Sequence, residues 1–272
     1  MKVVCYMKKS KLLKNRASYT TSTESIRVVA QNIDYLKIGI DFLQNGTTAP
    51  TLATLLTHTS DIKLTVGGEV EDLVRFQDLF VLNVLWHREP FYLLPAGDNQ
   101  VGMINDVMLP VKLTTDKQVY VELAYAGLAT IDTEKLTLAV IYGDKAFGNR
   151  PIAFQYITGN TATSFAEYDM SKAGRRLVGL LVYNTTIPTT SALDATVGEL
   201  KILVKRNEVA HIHFEDMDSI PVDVEDTTIS GIMSKYRYID LSDDPIPADD
   251  LKVAVKSLAS ATDAFRIVGV YQ

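Results

Sequence analysis

"DIKLTV" (61–66) and "ELKILV" (199–204) decide how this chain is read. Both open with polar and apolar residues in alternation, Asp-Ile-Lys-Leu and Glu-Leu-Lys-Ile, the period-two pattern of a strand with one buried face. They stand 138 positions apart, and the same offset aligns "TTAPT" (47–51) with "TTIPT" (185–189), Leu55 with Leu193, and "VRFQDL" (74–79) with "IHFEDM" (212–217). Over 47–79 against 185–217 nine positions are identical without a gap. The offset then slips by a few residues, and "VELAYAGLATIDTEKLTLAVIY" (121–142) aligns with "LKVAVKSLASATDAFRIVGVY" (251–271) across one gap. A similarity sustained over that span is an internal duplication. It divides the 272 residues into two domains of ordinary size.

The texture between the repeats is that of an all-β protein: short β-branched and aromatic segments separated by turn residues. In the first copy the pattern predicts strands at 25–30, 35–43, 61–66, 107–113, 120–126 and 136–142. In the second it predicts them at 164–168, 176–183, 199–204, 210–214, 235–241, 251–258 and 265–271, with a short strand at 152–157 linking the copies. Gly67-Gly68 allows a tight reversal. Phe76, Leu79, Phe80 and Val84 recur near helical spacing, so a short helix is expected over 75–86, with a shorter partner near 214–221. So many short strands per copy fit a Greek-key β-sandwich. Alternation alone does not choose between an immunoglobulin-like sandwich and a jelly roll, but a helix inserted after the central strand fits the jelly roll better.

Composition narrows the function classes. Apolar residues make up 47% of the chain and charged ones 22%, which suits a globular protein with a substantial core. The single Cys5 excludes an intrachain disulfide and a cysteine-rich metal site. No apolar run approaches the length of a membrane-crossing helix, and the N-terminus does not read as a signal peptide. The net charge of −6 is unevenly spread. Residues 1–16 hold Lys2, Lys8, Lys9, Lys11, Lys14 and Arg16 and no acid, and read as a basic N-terminal arm. Such an arm suits an anionic partner, nucleic acid or lipid head groups, through Lys8, Lys9, Lys11, Lys14 and Arg16, or is a solvated tail. The expected organisation is an arm over 1–16, a first sandwich over 17–147 and a second over 148–272.

Chemistry is sparse. Nucleotide-binding glycine loops and a nucleophile elbow are missing, so no catalytic or cofactor-binding residue is assigned and the chain is not expected to be an enzyme. His211 and His213, two apart on a strand, share a face and could hold a metal. Their counterparts along the repeat are Leu73 and Arg75 and no third ligand is evident in the sequence, so no metal site is assigned to them. Asp240, Asp243, Asp244, Asp249 and Asp250 form an acidic loop that could hold Ca²⁺. The stretch lacks the glycine and spacing of a known calcium loop, and a solvated turn is the simpler reading. Trp86, Phe80, Phe91 and Tyr92 read as packing residues rather than as a sugar-stacking platform.

The run "IKLTVGGEVEDLVRFQDLFVLN" (62–83) has the order strand, small-residue turn, strand, short helix ending in DLxxLN. The strand "MLPVKL" (108–113) follows. With the duplication, this order resembles the compact, corticovirus-like double jelly-roll major capsid proteins of icosahedral viruses that carry a membrane beneath the shell. The second copy departs from the pattern, since "VKRNEVAHIHFEDMDSI" (204–220) lacks the Gly-Gly turn. The resemblance implies two tandem jelly-roll sandwiches with short helices in the loops, and a homotrimer whose six barrels form a pseudo-hexamer. It implies a place in the virion shell among neighbouring capsomers and minor capsid or vertex proteins. The basic arm would then face internal membrane lipids or the genome. A second reading, from a different class, is a two-module carbohydrate-binding or carbohydrate-cleaving β-sandwich protein.

Overall fold

The computed structural model of the chain describes residues 9–12, 22–28, 33–44, 46, 48–88, 90–113, 118–125, 131–141, 152–189, 195–220, 227–258 and 263–272. The chain divides into two compact units, Met1–Ala153 and Phe154–Gln272. The boundary expected at 147/148 falls in a stretch outside the described residues.

In the first unit the strands are β1 (Lys9–Leu12), β2 (Ser22–Val28), β3 (Ile33–Gln44), β4 (Thr59–Val66), β5 (Glu69–Arg75), β6 (Phe91–Leu93), β7 (Val101–Leu113), β8 (Val119–Tyr125) and β9 (Ile131–Ile141). Helix α1 (Leu52–His58) precedes β4, and α2 (Phe76–Leu85) follows β5. One sheet has the order β1-β9-β3-β7-β6 and the other β2-β8-β4-β5. The second unit holds β10 (Ala153–Asn160), β11 (Ala166–Asp169), β12 (Arg176–Asn184), β13 (Ala195–Val204), β14 (Asn207–His213), β15 (Asp218–Ser219), β16 (Tyr236–Asp240), β17 (Ile246–Pro247), β18 (Leu251–Leu258) and β19 (Ala264–Tyr271). A 3₁₀ turn (Phe214–Asp216) follows β14, and α3 (Thr227–Met233) precedes β16. Its sheets run β10-β19-β12-β16-β15, with β17 against β12, and β11-β18-β13-β14.

The two units have the same topology. Renaming β10, β11, β12, β13, β14, β15, β16, β18 and β19 as the first to ninth strands of a unit turns one pair of sheet orders into the other. Every strand pairing whose register the described residues give is antiparallel. Consecutive strands alternate between the two sheets at the start of each unit, which is the jelly-roll plan. Each unit buries its own core. In the first, Leu36, Ile38, Ile62, Leu64, Val107, Leu109, Val121 and Leu123 are almost fully shielded from solvent, and in the second Leu180, Val182, Leu200, Ile202, Val253, Val255 and Ile267 are.

The duplication reaches into fine detail. The β4–β5 pairing slips by one residue between Leu64 and Thr65, and the β13–β14 pairing between Ile202 and Leu203, positions that match along the repeat. Gly67 and Gly68 close the first hairpin with φ of 62° and 95°. Lys205 and Arg206 close the second with φ of 50° and 68°. The second copy therefore keeps a two-residue, left-handed turn despite losing both glycines. The side chains impose a steric cost there that glycine avoids.

The DLxxLN motif also gains a physical role. Asn83, fully buried near the end of α2, donates through Nδ2 to Leu79 O (2.8 Å) and Met108 O (2.9 Å) and accepts from Met108 N–H at Oδ1 (2.8 Å). One amide thus lashes the helix to β7 and satisfies both polar backbone groups of Met108. The expected helix partner near 214–221 is reduced to the 3₁₀ turn, which begins at Phe214, the counterpart of Phe76.

Several expectations need correction. The segment at 152–157 is not a link: as β10 it is an outer strand of the second unit's larger sheet. The basic arm over 1–16 is not wholly an arm, because Lys9–Leu12 form β1, paired with Thr137–Val140 of β9. Helices α1 and α3 were not anticipated. Edge strands and helices of about two turns carry little apolar periodicity, so pattern reading passes over them.

Two outcomes test this description. Replacing Asn83 with Ala strips Met108 of both partners and should cost about 2–4 kcal/mol of stability in urea unfolding. Converting Lys205-Arg206 to Asn-Gly relieves the left-handed strain and should raise stability by about 1 kcal/mol in the same measurement.

Candidate functional site

The exposed face of the β11-β18-β13-β14 sheet carries a connected group of polar side chains. Alternation puts Leu200 and Ile202 of β13 inside and Glu199 and Lys201 outside. Cross-strand register then sets the neighbours. Glu199 lies opposite His213 of β14 and Lys256 of β18, while Lys201 lies opposite His211 and Ala254. Phe165, just before β11, lies across this face. The Lys201 ammonium sits 4.7 Å from its ring centroid and that of Lys256 5.7 Å away, and the His211 ring meets it edge-on at 5.8 Å. Each contact is a modest cation–π or aromatic interaction.

Glu199 is the hub. Its Oε1 accepts from Lys256 Nζ at 2.5 Å, and its Oε2 lies 3.0 Å from His211 Nε2. The Lys256 ammonium holds the Glu199 carboxyl below the usual carboxylate range, with a smaller contribution from His211. Lys201 pairs with Glu208 at 2.7 Å and lowers that carboxyl in turn. Lys252 pairs with Glu167 at 2.9 Å. The rings of His211 and His213 stack at 4.8 Å with their planes 26° apart. Ligand atoms of Glu199, His211 and His213 all lie within 4.8 Å of one another. The sequence showed the histidine pair but not Glu199. Only the hairpin register brings the carboxylate beside it.

The acidic loop is built differently. Asp240 Oδ1 accepts from Ser242 N–H (2.9 Å), and Asp249 Oδ1 accepts from Gly174 N–H (3.0 Å). Asp250 takes a φ of 57°, and its carbonyl accepts from Lys205 N–H (3.1 Å). Asp243 and Asp244 are exposed. Arg176 Nε donates to Pro245 O (3.0 Å), and Ile246–Pro247 pair with β12. The loop is thus held by its own turns and by β12. Among the described residues, three or more of its carboxylates do not gather within reach of one ion. Of the basic residues, Lys9 and Lys11 lie in β1 opposite Val140 and Leu138, and Lys8, Lys14 and Arg16 fall outside the described residues.

In the first unit, Phe91 and Leu93 of the edge strand β6 and Val101 of β7 are large apolar side chains about half exposed. Phe91 pairs with Asn105 and Leu93 with Met103, so Phe91, Leu93 and Val101 share one face of the sheet.

No family model matches the chain, and no curated protein matches it in sequence. Solved structures do match. The STIV MCP superposes with a TM-score of 0.66 at 12% identity, covering 97% of this chain and 96% of that one. The PBCV-1 virus capsid matches with a TM-score of 0.60 at 9% identity over 100% and 94% of the two chains. The major capsid protein P2 of bacteriophage PM2 matches with a TM-score of 0.55 at 13% identity over 97% of each. At these identities the likeness is one of fold, and it runs the whole length of both partners. With two topologically identical jelly rolls in one polypeptide, the chain is a double jelly roll, built on the plan that these capsid structures share.

Proposed function

We propose that this chain is the major structural protein of an icosahedral virus shell, assembling through homotrimers that act as pseudo-hexameric capsomers. The observation that carries the reading is the repeated jelly roll itself, matched from end to end by capsid proteins. A hexagonal lattice needs building blocks with six similar edges. Three chains of two like sandwiches each supply six, and a closed three-fold ring satisfies every copy of the contact. Divergence between the halves, as at His211 and His213 against Leu73 and Arg75, lets the two kinds of edge meet different neighbours. The partners are then further copies of the chain, adjoining capsomers, and minor or vertex proteins, and the place of work is the virion. Lys9 and Lys11 belong to a sheet edge, so contact with lipid or genome would fall to the basic residues around them.

The exposed apolar face of Phe91, Leu93 and Val101 supports association, because surface of this kind is usually covered by a partner. Sedimentation should show a species of about three times the 30.1 kDa chain mass, and electron microscopy a hexagonal outline. A double Phe91→Ser/Leu93→Ser variant should retain its far-UV circular dichroism and dissociate at protein concentrations where the wild type stays trimeric. A stable monomer that binds or cleaves glycans would overturn the proposal in favour of a carbohydrate-active sandwich.

A further inference from the structure

Comparing the two copies at the same place in the hairpin isolates one chemical novelty. In the first unit, Asp61 of β4 lies opposite Arg75 of β5, with Arg75 Nε 3.6 Å from Asp61 Oδ1, and Leu73 occupies the neighbouring outward position. In the second unit the equivalent residues are Glu199, His213 and His211. An arginine has no lone pair to offer a metal and a leucine has nothing to offer. Two imidazoles do. The scaffold is the same down to its bulge and turn, yet the second copy has replaced an ion pair with a chelating set.

We propose that Glu199, His211 and His213 form a site for a divalent transition-metal ion of the zinc type, bound by two imidazole nitrogens and one carboxylate oxygen, with water completing the shell. This inference stands on the second unit alone and does not depend on the capsid reading. Two nitrogens and one oxygen suit Zn²⁺, Co²⁺ or Ni²⁺, whereas Ca²⁺ and Mg²⁺ prefer shells of oxygen. The geometry needs little change. Bonds of about 2.0–2.2 Å at a tetrahedral centre set adjacent ligand atoms about 3.3–3.6 Å apart. His211 Nε2 and Glu199 Oε2 already lie 3.0 Å apart, and His213, exposed on the same strand face, closes the set within 4.8 Å. Lys256 does not block the site, because it holds Oε1 and leaves Oε2 facing His211. It would then orient the carboxylate from the outer shell, as such partners commonly do. The nearby Lys201 is paired with Glu208. The ion would bridge β13 and β14 and pin the hairpin from its outer face.

The test is calorimetric titration of the full chain, free of affinity-tag histidines, with ZnCl₂. One saturable Zn²⁺ site per chain is expected, unaffected by excess Ca²⁺, together with a Zn²⁺-dependent rise in thermal unfolding temperature. Co²⁺ should bind with the visible absorption of a low-symmetry, nitrogen-ligated ion. The informative variants are His211→Leu and His213→Arg, which install residues that the equivalent hairpin of the first unit already carries and so preserve the fold. Each should weaken Zn²⁺ by about tenfold or more, as should Glu199→Gln, while His87→Ala leaves it intact. Absence of saturable binding, or binding unchanged in the His211→Leu/His213→Arg double variant, overturns the proposal.

Discussion

A β-strand with one buried face has almost no freedom of register, because a slip of one residue would turn its whole apolar set toward water. That constraint underlies both units. Ile62 and Leu64 on β4, like Leu200 and Ile202 on β13, are fully buried, and the lysines between them, Lys63 and Lys201, face outward. Once these central strands are seated, antiparallel pairing dictates which residues of β5, β8, β14 and β18 stand beside them. The cores, the outer faces and the clusters on those faces follow from the same alternation.

Duplication explains why so much of the arrangement recurs and why the differences are informative. The bulge and the left-handed hairpin turn persist at matching positions, though the turn is built by Gly67-Gly68 in one copy and Lys205-Arg206 in the other. Backbone geometry has outlasted the residues best suited to it. The outer face has been free to change, since exposed positions carry little of the packing energy. Arg75 and Leu73 of the first copy correspond in sequence to His213 and His211 of the second, and the helix lashed down by Asn83 shrinks to a 3₁₀ turn. The proposed capsid role would call for this combination of a fixed frame and separable surfaces.

Much of the fold was legible in the sequence, and the reasons for the gaps are physical. The strands with a buried face announced themselves by alternation, and α2 by its apolar spacing. Strand β1 did not, because "KSKL" (9–12) has no apolar alternation and its place at the sheet edge is stated by backbone hydrogen bonds to β9. The second-copy turn was missed because its cost is borne by side chains that do not look like turn residues. At the candidate metal site, the two histidines were visible as an i, i+2 pair, but their third partner lies twelve residues before His211 on another strand.

The chain's own order of residues determined that there are two copies, that both are β-sandwiches, and which face of each long strand is buried, since these depend on local periodicity and on repetition along the polymer. Tertiary structure alone decided which strands are neighbours. It set Lys9–Leu12 at a sheet edge, let Asn83 close both backbone groups of Met108, and set Glu199 against His211 and His213. Such contacts join residues through cross-strand pairing at long sequence separation, and a linear pattern carries no record of register between segments until folding imposes it.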